Sequence, residues 1–132
     1  MKTLPLSLYL HSVSAGFPSP ADDYIESTLD LNTYLIKHPA ATYLARAKGN
    51  SMEGCGIFDG DLLIVDRSLE AQDGQIIIAV LDGELTCKIL DKKQQRLIAA
   101  SRHYPPIKIA EYSELIIEGV VIHSIRYHVL SR

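Results

Sequence analysis

The chain has 132 residues, of which 47% are hydrophobic and 22% are charged, and its formal net charge at pH 7 is -3. This length is sufficient for one domain with a hydrophobic core, and the composition is typical of a soluble globular protein. Because the net charge is negative and the lysines and arginines are scattered along the chain, the sequence argues against direct nucleic-acid binding.

The cysteines and the apolar stretches predict a cytoplasmic protein. Cys55 and Cys87 form no CxxC motif, so we expect reduced thiols. The apolar stretch within residues 1–10 is short and is interrupted by Pro5, which disfavours a signal peptide. No stretch approaches the ~18 apolar residues of a membrane helix, so we predict no membrane association.

Residues 1–30 differ from the rest of the chain, because they carry three of its six prolines and show neither a helical nor a strand period. Each proline fixes its own φ and favours an extended conformation in the residue before it, so Phe17-Pro18-Ser19-Pro20 cannot be helical. We predict a flexible N-terminal arm over residues 1–30, extended over residues 1–22. A short helix is expected around Leu29–Ile36, ending before Pro39.

Residues 31–132 are predicted to form a compact, mostly β domain, because short apolar and β-branched runs alternate with turn residues. Asp82-Gly83, between two such runs, is the strongest hairpin signal. Gly119 interrupts a long β-branched run and is expected to mark a bulge. The predicted strands are Thr42–Ala47, Asp61–Arg67, Gln75–Leu81, Glu84–Leu90, Leu97–Ala100 and Leu115–Tyr127.

Ser51 lies among small and flexible residues and is a candidate nucleophile. Gly49 and Asn50 precede it, and Gly54 and Gly56 follow it. Glycines allow backbone N–H groups to turn toward one point, as an oxyanion hole requires. A serine in a glycine-rich turn is also a common structural feature, and the tetrapeptide alone favours that simpler interpretation.

Lys88 lies within an apolar strand and is a candidate general base. A serine and a lysine are the minimum set for nucleophilic catalysis without histidine. An ordinary lysine, with a pKa near ~10.4, is charged at neutral pH, whereas only the neutral amine can accept the proton of Ser51. Burial would lower this pKa, and a nearby cation such as Arg46 would help. The commoner alternative is a solvated lysine on an exposed face. Strand alternation predicts that Cys87 points to the opposite face, as a packed core thiol.

The dipeptide Ala15-Gly16 is a candidate cleavage site. A small residue followed by glycine lets a nucleophile approach the carbonyl between them. The extended Phe17-Pro18-Ser19-Pro20 that follows suits docking against a sheet edge. Taken alone, the segment is better explained as a flexible tail.

In combination, these features resemble the LexA/UmuD family of self-cleaving Ser-Lys peptidases, and most closely its UmuD-like members. The spacings from the Ala15-Gly16 bond to Ser51, and from Ser51 to Lys88, also fit this family. The resemblance covers nearly the whole chain. Its motifs lie in Gly16–Tyr24, Asp30–Asn32, His38–Tyr43, Ser51-Met52, Asp59–Asp66 and Gly119–His123.

The resemblance implies a role for each of these positions. Ser51 is the nucleophile, Lys88 its general base, and backbone N–H groups around Ser51 hold the oxyanion. The bond between Ala15 and Gly16 is cut, which releases residues 1–15. The fold implied is a compact C-terminal β-domain with an extended N-terminal arm and at most one short helix.

The resemblance also implies a biological role, that of an SOS-response mutagenesis protein. A RecA filament on single-stranded DNA stimulates the self-cleavage. The shortened protein is a homodimer and serves a UmuC-type Y-family polymerase in translesion synthesis. No cofactor and no metal are implied, and no membrane or sequence-specific DNA is a partner. A chromosomal and a mobile-element member both fit, as do cleavage within one chain and cleavage between two chains.

Two features depart from the family. UmuD itself has a cysteine before the cleaved glycine, whereas this chain has Ala15, as in LexA. Both side chains are small, so we expect the chemistry to be unaffected. The 15 residues before the cleavage site do not clearly resemble those of the family.

Three alternatives are less favoured. A cleavable repressor of the same superfamily needs a helix-turn-helix before the cleavage site, for which residues 1–15 are too few. A signal peptidase uses the same catalytic pair of serine and lysine but needs a membrane anchor. A structural β-module with an inactive site would not need both Ser51 and Lys88.

The other polar residues favour structural roles. The five histidines show no paired spacing for a metal. Asp59, Asp61 and Asp66 flank an apolar strand, so turn and edge roles are expected for them. Cys55 belongs to the glycine-rich loop and is expected to be exposed.

Overall fold

The computed structural model of the chain describes residues 2–9, 12–13, 15–17, 26–111 and 114–129. The chain divides into two units, Met1–Pro39 and Ala40–Arg132. The sequence placed the boundary after residue 30, and the extent of the flexible arm stays a prediction. The predicted extended segment Pro18–Pro20 lies outside the described residues.

The N-terminal unit contains a pair of strands and one short helix. Strand β1 (Pro5–Tyr9) pairs antiparallel with β2 (Glu26–Asp30), so that Pro5 lies opposite Asp30. Helix α1 (Leu31–Leu35) follows directly and falls within the predicted helical stretch. The Asp30 carboxylate accepts hydrogen bonds from the Thr33 hydroxyl at 2.5 Å and from the Leu4 N–H at 2.7 Å. These bonds hold the pKa of Asp30 below its usual value and fix the start of the helix to β1.

The second unit is built on a 7-stranded antiparallel sheet with the order β3-β4-β9-β5-β6-β7-β8. Strand β9 therefore lies between β4 and β5, although it is the last strand in the chain. The strands are β3 (Thr42–Arg46), β4 (Leu62–Asp66), β5 (Ile76–Leu81), β6 (Glu84–Asp91), β7 (Arg96–Ile98), β8 (Ile107–Lys108) and β9 (Leu115–Ile125). Short 3-10 helices occupy Pro39–Ala41, Glu53–Cys55 and Ile109–Glu111. The prediction of a mostly β fold is confirmed.

The predicted hairpin is the β5–β6 turn. Leu81 lies opposite Glu84, and the two residues between them have positive φ values, 45° at Asp82 and 87° at Gly83. A two-residue turn with both central residues left-handed matches the twist of the flanking strands. The turn therefore fixes the register of β6, the strand that carries Lys88.

Gly119 lies beside a bulge, as the sequence predicts. The β5–β9 register shifts between Ile78, which faces Gly119, and Ala79, which faces Ile117. A Cβ atom at Gly119 would lie 2.6 Å from Cγ1 of Val65 on β4. Glycine is needed here because β9 and β4 approach each other closely.

The sheet buries apolar side chains on both faces. One cluster contains Ile77, Ala79 and Leu81 of β5, together with Leu90, Leu97, Val120 and Ala71. The other contains Ile78 of the same strand with Met52, Ile57, Leu63 and Val65. Successive residues of β5 thus enter different clusters, as the pleat of a strand requires. Met52, the neighbour of Ser51, belongs to the second cluster and ties its loop to the sheet.

Within the described ranges, the helices are too short and too polar for any of them to cross a bilayer.

Candidate active site

Ser51 lies in the loop between β3 and β4, residues 48–59, which we call the serine loop. Its base is closed by hydrogen bonds from Ala47 N–H to the Asp61 carbonyl and from Gly60 N–H to the Ala47 carbonyl, both at 2.8 Å. Met52 is only 4% exposed. Burial of a methionine contributes about 1.5–3 kcal/mol, so Met52 anchors the loop one residue after Ser51.

Gly49 allows the serine loop to turn. Its φ of 90° lies in the left-handed region, where glycine carries no Cβ penalty. Its N–H donates a hydrogen bond of 2.7 Å to the Asp59 carboxylate, which joins the two arms of the loop. This contact gives Asp59 the turn role expected from the sequence.

Lys88 reaches Ser51 from β6. Its Nζ atom lies 3.1 Å from Ser51 Oγ, from Thr86 Oγ1 and from the Cys87 carbonyl oxygen. The two candidate residues, 37 positions apart in the chain, thus meet in one hydrogen bond. An ammonium group has three N–H donors, and these three acceptors satisfy them.

The same three partners suit a neutral lysine. A neutral amine has two N–H donors and one lone pair. The Cys87 carbonyl can only accept a hydrogen bond, whereas the hydroxyls of Ser51 and Thr86 can also donate one. Lys88 can therefore donate to Cys87 and Thr86 while its lone pair accepts the Ser51 proton. This is the arrangement that a general base needs.

Burial of Lys88 lowers its pKa below the usual 10.5, and the neighbouring Cys87 thiol acts weakly in the opposite direction. Desolvation disfavours the charged amine, because the half-buried site replaces water around it with protein. The expected help from Arg46 is not found. The Arg46 guanidinium donates to the Gly60 carbonyl at 2.9 Å, and burial is what lowers the Lys88 pKa.

Thr86 is a site residue that sequence reasoning did not single out. Strand alternation places it on the same face of β6 as Lys88, two positions away. Its hydroxyl oxygen accepts a hydrogen bond from Lys88 Nζ at 3.1 Å. The signal was present in the sequence, but a threonine in a strand is too common to indicate a site.

A cleft of about 270 Å³ contains Ser51 and Lys88. Residues 45–48 and 85–88 line the cleft, together with the apolar residues Met52, Leu63 and Ile78. Small alanines at positions 45 and 47 leave room beside the serine. A concave, largely apolar site with a few polar groups is the usual form of a ligand or substrate site.

Cys87 also borders the cleft. Its side chain packs against the cluster that contains Met52, and burial raises the pKa of its thiol to about 11. It is therefore a packed thiol, as expected, although alternation had placed it away from Lys88. Cys55 is exposed, and its thiol donates to the Met52 carbonyl at 3.2 Å.

Most amides of the serine loop already have acceptors. Those of Glu53, Gly54, Cys55, Gly56 and Ile57 donate to backbone carbonyls at 2.8–3.4 Å. Within the described part of the loop, the amides left over around the candidate nucleophile are those of Ser51 itself and its two neighbours. They are the candidates for stabilising an oxyanion.

The candidate cleavage site belongs to the N-terminal unit. Ala15 and Gly16 lie in an exposed bend, and a Cβ atom at Gly16 would meet no atom within 4 Å. Phe17, the next residue, is 92% exposed. The bond between Ala15 and Gly16 is therefore accessible.

The family model and the relatives that match this chain all indicate the same protein family. Residues 7–122 match the Peptidase S24-like family. The chain is 42% identical over 125 residues to Protein MucA of Salmonella typhimurium, an alignment that covers 93% of this chain and 86% of MucA. It is 44% identical over 118 residues to Protein ImpA of Escherichia coli, covering 89% and 81% of the two chains. It is also 41% identical over 117 residues to the LexA repressor of Ectopseudomonas mendocina (strain ymp), covering 86% of this chain and 57% of the repressor.

Proposed function

The chain belongs to the S24-like peptidase family, as a UmuD-like protein and a serine peptidase of the self-cleaving type, and on this premise we propose that it cuts its own arm between Ala15 and Gly16. The observation that carries this proposal is the 3.1 Å contact between Lys88 Nζ and Ser51 Oγ inside the cleft. The serine and the lysine are both present and lie within hydrogen-bond distance, which supports the roles of nucleophile and general base.

The first step forms an ester. Neutral Lys88 takes the proton of the Ser51 hydroxyl while Oγ attacks the carbonyl carbon of Ala15. Backbone amides around Ser51 stabilise the oxyanion that results. The oxyanion then collapses, the bond to Gly16 breaks, and Lys88 returns its proton to the departing amine. Residues 16–132 then begin with Gly16, while Ala15 is esterified to Ser51.

The second step hydrolyses this ester. Lys88 takes a proton from a water molecule, which attacks the Ala15 carbonyl carbon. When the ester bond breaks, the proton returns to Ser51 Oγ. Residues 1–15 leave with a free carboxylate, and the serine and the lysine are restored. Thr86 and the Cys87 carbonyl hold Lys88 in place through both steps.

The charge on Lys88 is the barrier at neutral pH. The burial seen here lowers its pKa, and a docked arm would remove more water and lower it further. Tethering already gives the arm a high effective concentration at the site. A stimulating partner therefore acts by favouring the docked, dry conformation, which is a shift of population and needs no donated catalytic group.

The relatives support the biological role that we propose. The similarity to MucA, ImpA and SamA supports a role as an SOS mutagenesis protein, and the proposed site of action is the cytoplasm. In this proposal, a RecA filament on single-stranded DNA stimulates the cleavage. The shortened chain forms a homodimer that serves as the accessory subunit of a UmuC-type translesion polymerase.

Intact-mass spectrometry of the purified chain tests the chemistry. Incubation near pH 10 should produce residues 16–132 without any partner, because high pH deprotonates Lys88. Ser51→Ala and Lys88→Ala should each abolish this product. The exposed residues Ser124 and Lys93 offer matched controls, since Ser124→Ala and Lys93→Ala should be cut like the wild type. Cleavage that persists in Ser51→Ala or Lys88→Ala would refute the role of that residue.

The same assay tests the trigger. At neutral pH, addition of RecA, single-stranded DNA and a nucleotide should accelerate the appearance of residues 16–132. Omission of any one of these three components should return the rate to the spontaneous level. A rate that RecA filaments leave unchanged would refute this part of the proposal, while the cleavage at high pH would still stand.

Mixing two variants distinguishes cleavage within one chain from cleavage between chains. One chain carries Ser51→Ala and an intact arm, and the other carries Ser51 and the substitution Gly16→Pro, which blocks cleavage of its own arm. A shortened Ser51→Ala chain can arise only from cleavage between chains.

A further inference from the structure

The position of Ser51 depends on a loop rather than on a strand. Ser51 and Met52 form a turn that leads into the 3-10 helix Glu53–Cys55. Lys88, by contrast, is fixed by strand pairing on β6, opposite Ile77 of β5. The contact between Ser51 and Lys88 therefore requires some element that ties the serine loop to the strands around Lys88.

Residues 99–104, which we call the bracket loop, contact the serine loop on both sides of Ser51. On one side, the Tyr104 hydroxyl donates a hydrogen bond of 2.6 Å to the side-chain oxygen of Asn50. On the other side, the Ala100 carbonyl accepts a hydrogen bond of 2.8 Å from Gly54 N–H. The two contacts enclose the segment that contains the serine.

The serine loop and the bracket loop approach each other closely at Gly54. A Cβ atom at this position would lie 2.4 Å from the Ala100 carbonyl oxygen, which is backbone and cannot swing away. The two loops are thus packed backbone to backbone at Gly54. The hydrogen bond between Tyr104 and Asn50 is a second contact that holds them together.

The bracket loop is also tied to Lys88. It follows β7, whose last residue, Ile98, lies opposite Ile89 on β6. Ile89 is the residue after Lys88. Inside the loop, Tyr104 N–H donates to the Ser101 carbonyl at 3.2 Å and His103 N–H donates to the Ser101 hydroxyl at 3.3 Å. The loop is therefore a folded connection from the Lys88 strand to the serine loop.

We infer that Tyr104 is a positioning residue, which through Asn50 sets the distance between Ser51 Oγ and Lys88 Nζ. This inference rests on the proposed self-cleavage. The hydroxyl-to-amine contact of 3.1 Å is near the long end of a productive hydrogen bond. A displacement of Ser51 by a fraction of an ångström would break it, and misplacements of about 1 Å cost factors of ~10² in rate.

The test is the rate of self-shortening as a function of pH, measured by intact mass for the full-length chain. Tyr104→Phe keeps the ring and removes only the hydroxyl. We expect the rate at the high-pH plateau to fall about tenfold, in line with the cost of a partial misplacement. The pH midpoint should move to lower pH, because the charged Lys88 amine loses Ser51 as one of its three hydrogen-bond acceptors. Tyr127→Phe is the matched control, since Tyr127 is 74% exposed, and it should behave like the wild type.

A double-mutant cycle shows whether Tyr104 acts through Asn50. Asn50→Ala should lower the plateau by a similar factor, and Tyr104→Phe should lower it no further in that background. Chemical denaturation of each variant reports the folded fraction, so that a general loss of stability is separated from a loss of rate per folded molecule.

The outcomes are distinct. An unchanged plateau in Tyr104→Phe, or independent effects of the two substitutions, would overturn the positioning role while self-cleavage stands. A plateau that falls only in proportion to the folded fraction would also overturn it. Absence of shortening in the wild type at high pH would refute the proposed function itself, and the positioning role with it.

Discussion

Asp61 and Arg126 form a bidentate ion pair, in which Nε and Nη2 of the arginine each lie 2.9 Å from a carboxylate oxygen of the aspartate. Asp61 is only 2% exposed. The same guanidinium donates to the Gly56 carbonyl at 3.0 Å and lies 3.9 Å from the centre of the Phe58 ring. One arginine just after β9 thus holds three residues that lie between Ser51 and β4.

The first prediction concerns this ion pair and pH. Hydrogen bonds from Arg126 hold the pKa of Asp61 below its usual value. A depressed carboxyl pKa contributes stability that is present above the unfolded-state pKa of about 4 and is lost as the pH falls through the folded-state value. Asp61→Asn should therefore be less stable than the wild type at pH 7, and the difference should shrink below about pH 4. Denaturant unfolding over this pH range measures it.

Asp73→Asn is the matched control for that measurement. Asp73 accepts a backbone hydrogen bond from Lys92 at 2.7 Å and forms no ion pair within the part of the chain that the structure describes. The difference in unfolding free energy between Asp73→Asn and the wild type should not change with pH in the way expected for Asp61→Asn. Equal pH dependence in the two variants would mean that the pair with Arg126 does not stabilise the fold.

The second prediction concerns the backbone contact at Gly54. Gly54→Ala would place a Cβ atom 2.4 Å from the Ala100 carbonyl oxygen, so the two loops must move apart. Overpacking that forces backbone to shift typically costs about 1–3 kcal/mol, and a contact this short with a carbonyl oxygen lies at the upper end of that range. Gly74→Ala is the comparison, because its Cβ atom meets open space and only the left-handed φ of 86° opposes it, at a cost of about 1–2 kcal/mol. Thermal or urea unfolding should rank Gly54→Ala as the more destabilised variant, and the reverse order would contradict the close packing.

Local patterns in the sequence were sufficient to place strands β3 to β7, strand β9 and the two candidate residues. The Asp82-Gly83 turn fixes the register of β6, and the apolar runs of β4 and β5 mark the buried strands. These features depend on neighbours along the chain. Strands β1, β2 and β8 were not predicted, because residues 1–30 show no strand period and the two residues of β8 are too few to carry one.

The contacts that complete the site were not predictable in the same way. The hydrogen bond between Tyr104 and Asn50 joins residues 54 positions apart, and the Asp61–Arg126 pair joins residues 65 positions apart. Both depend on the strand order, in which β9 inserts between β4 and β5 and β7 lies beside β6. No local pattern specifies that order, since apolar strands can pair with several partners.

The third prediction concerns Thr86, whose hydroxyl accepts a hydrogen bond from Lys88 at 3.1 Å. Thr86→Val removes this acceptor and keeps the shape of the side chain. The charged amine loses one stabilising partner, so the pH midpoint of self-shortening should move to lower pH. The neutral amine also loses its orientation, so the plateau rate should fall by ~10-fold.

Thr86→Ser keeps the hydroxyl and is the control for this substitution. It should retain the midpoint and most of the plateau rate of the wild type. If Thr86→Val and Thr86→Ser gave the same pH–rate profile, the hydroxyl of Thr86 would have no role in holding Lys88.

The fourth prediction concerns the effect of Lys88 on the stability of the fold. Burial lowers its pKa below the usual 10.5, so between the folded and unfolded pKa values the unfolded chain binds more protons. Stability must then rise with pH across this interval. Below the folded-state pKa, the charged Lys88 carries its full desolvation cost, and above pH 10.5 that cost has disappeared.

Lys88→Met, which keeps the length of the side chain, tests this. Its gain in unfolding free energy over the wild type should therefore be largest near pH 7 and smallest near pH 10.5. Lys93→Met, at an exposed position, should show no such trend. Parallel stability curves for wild type and Lys88→Met would mean that Lys88 is not desolvated, and the site would then lack the neutral amine that the proposed chemistry requires.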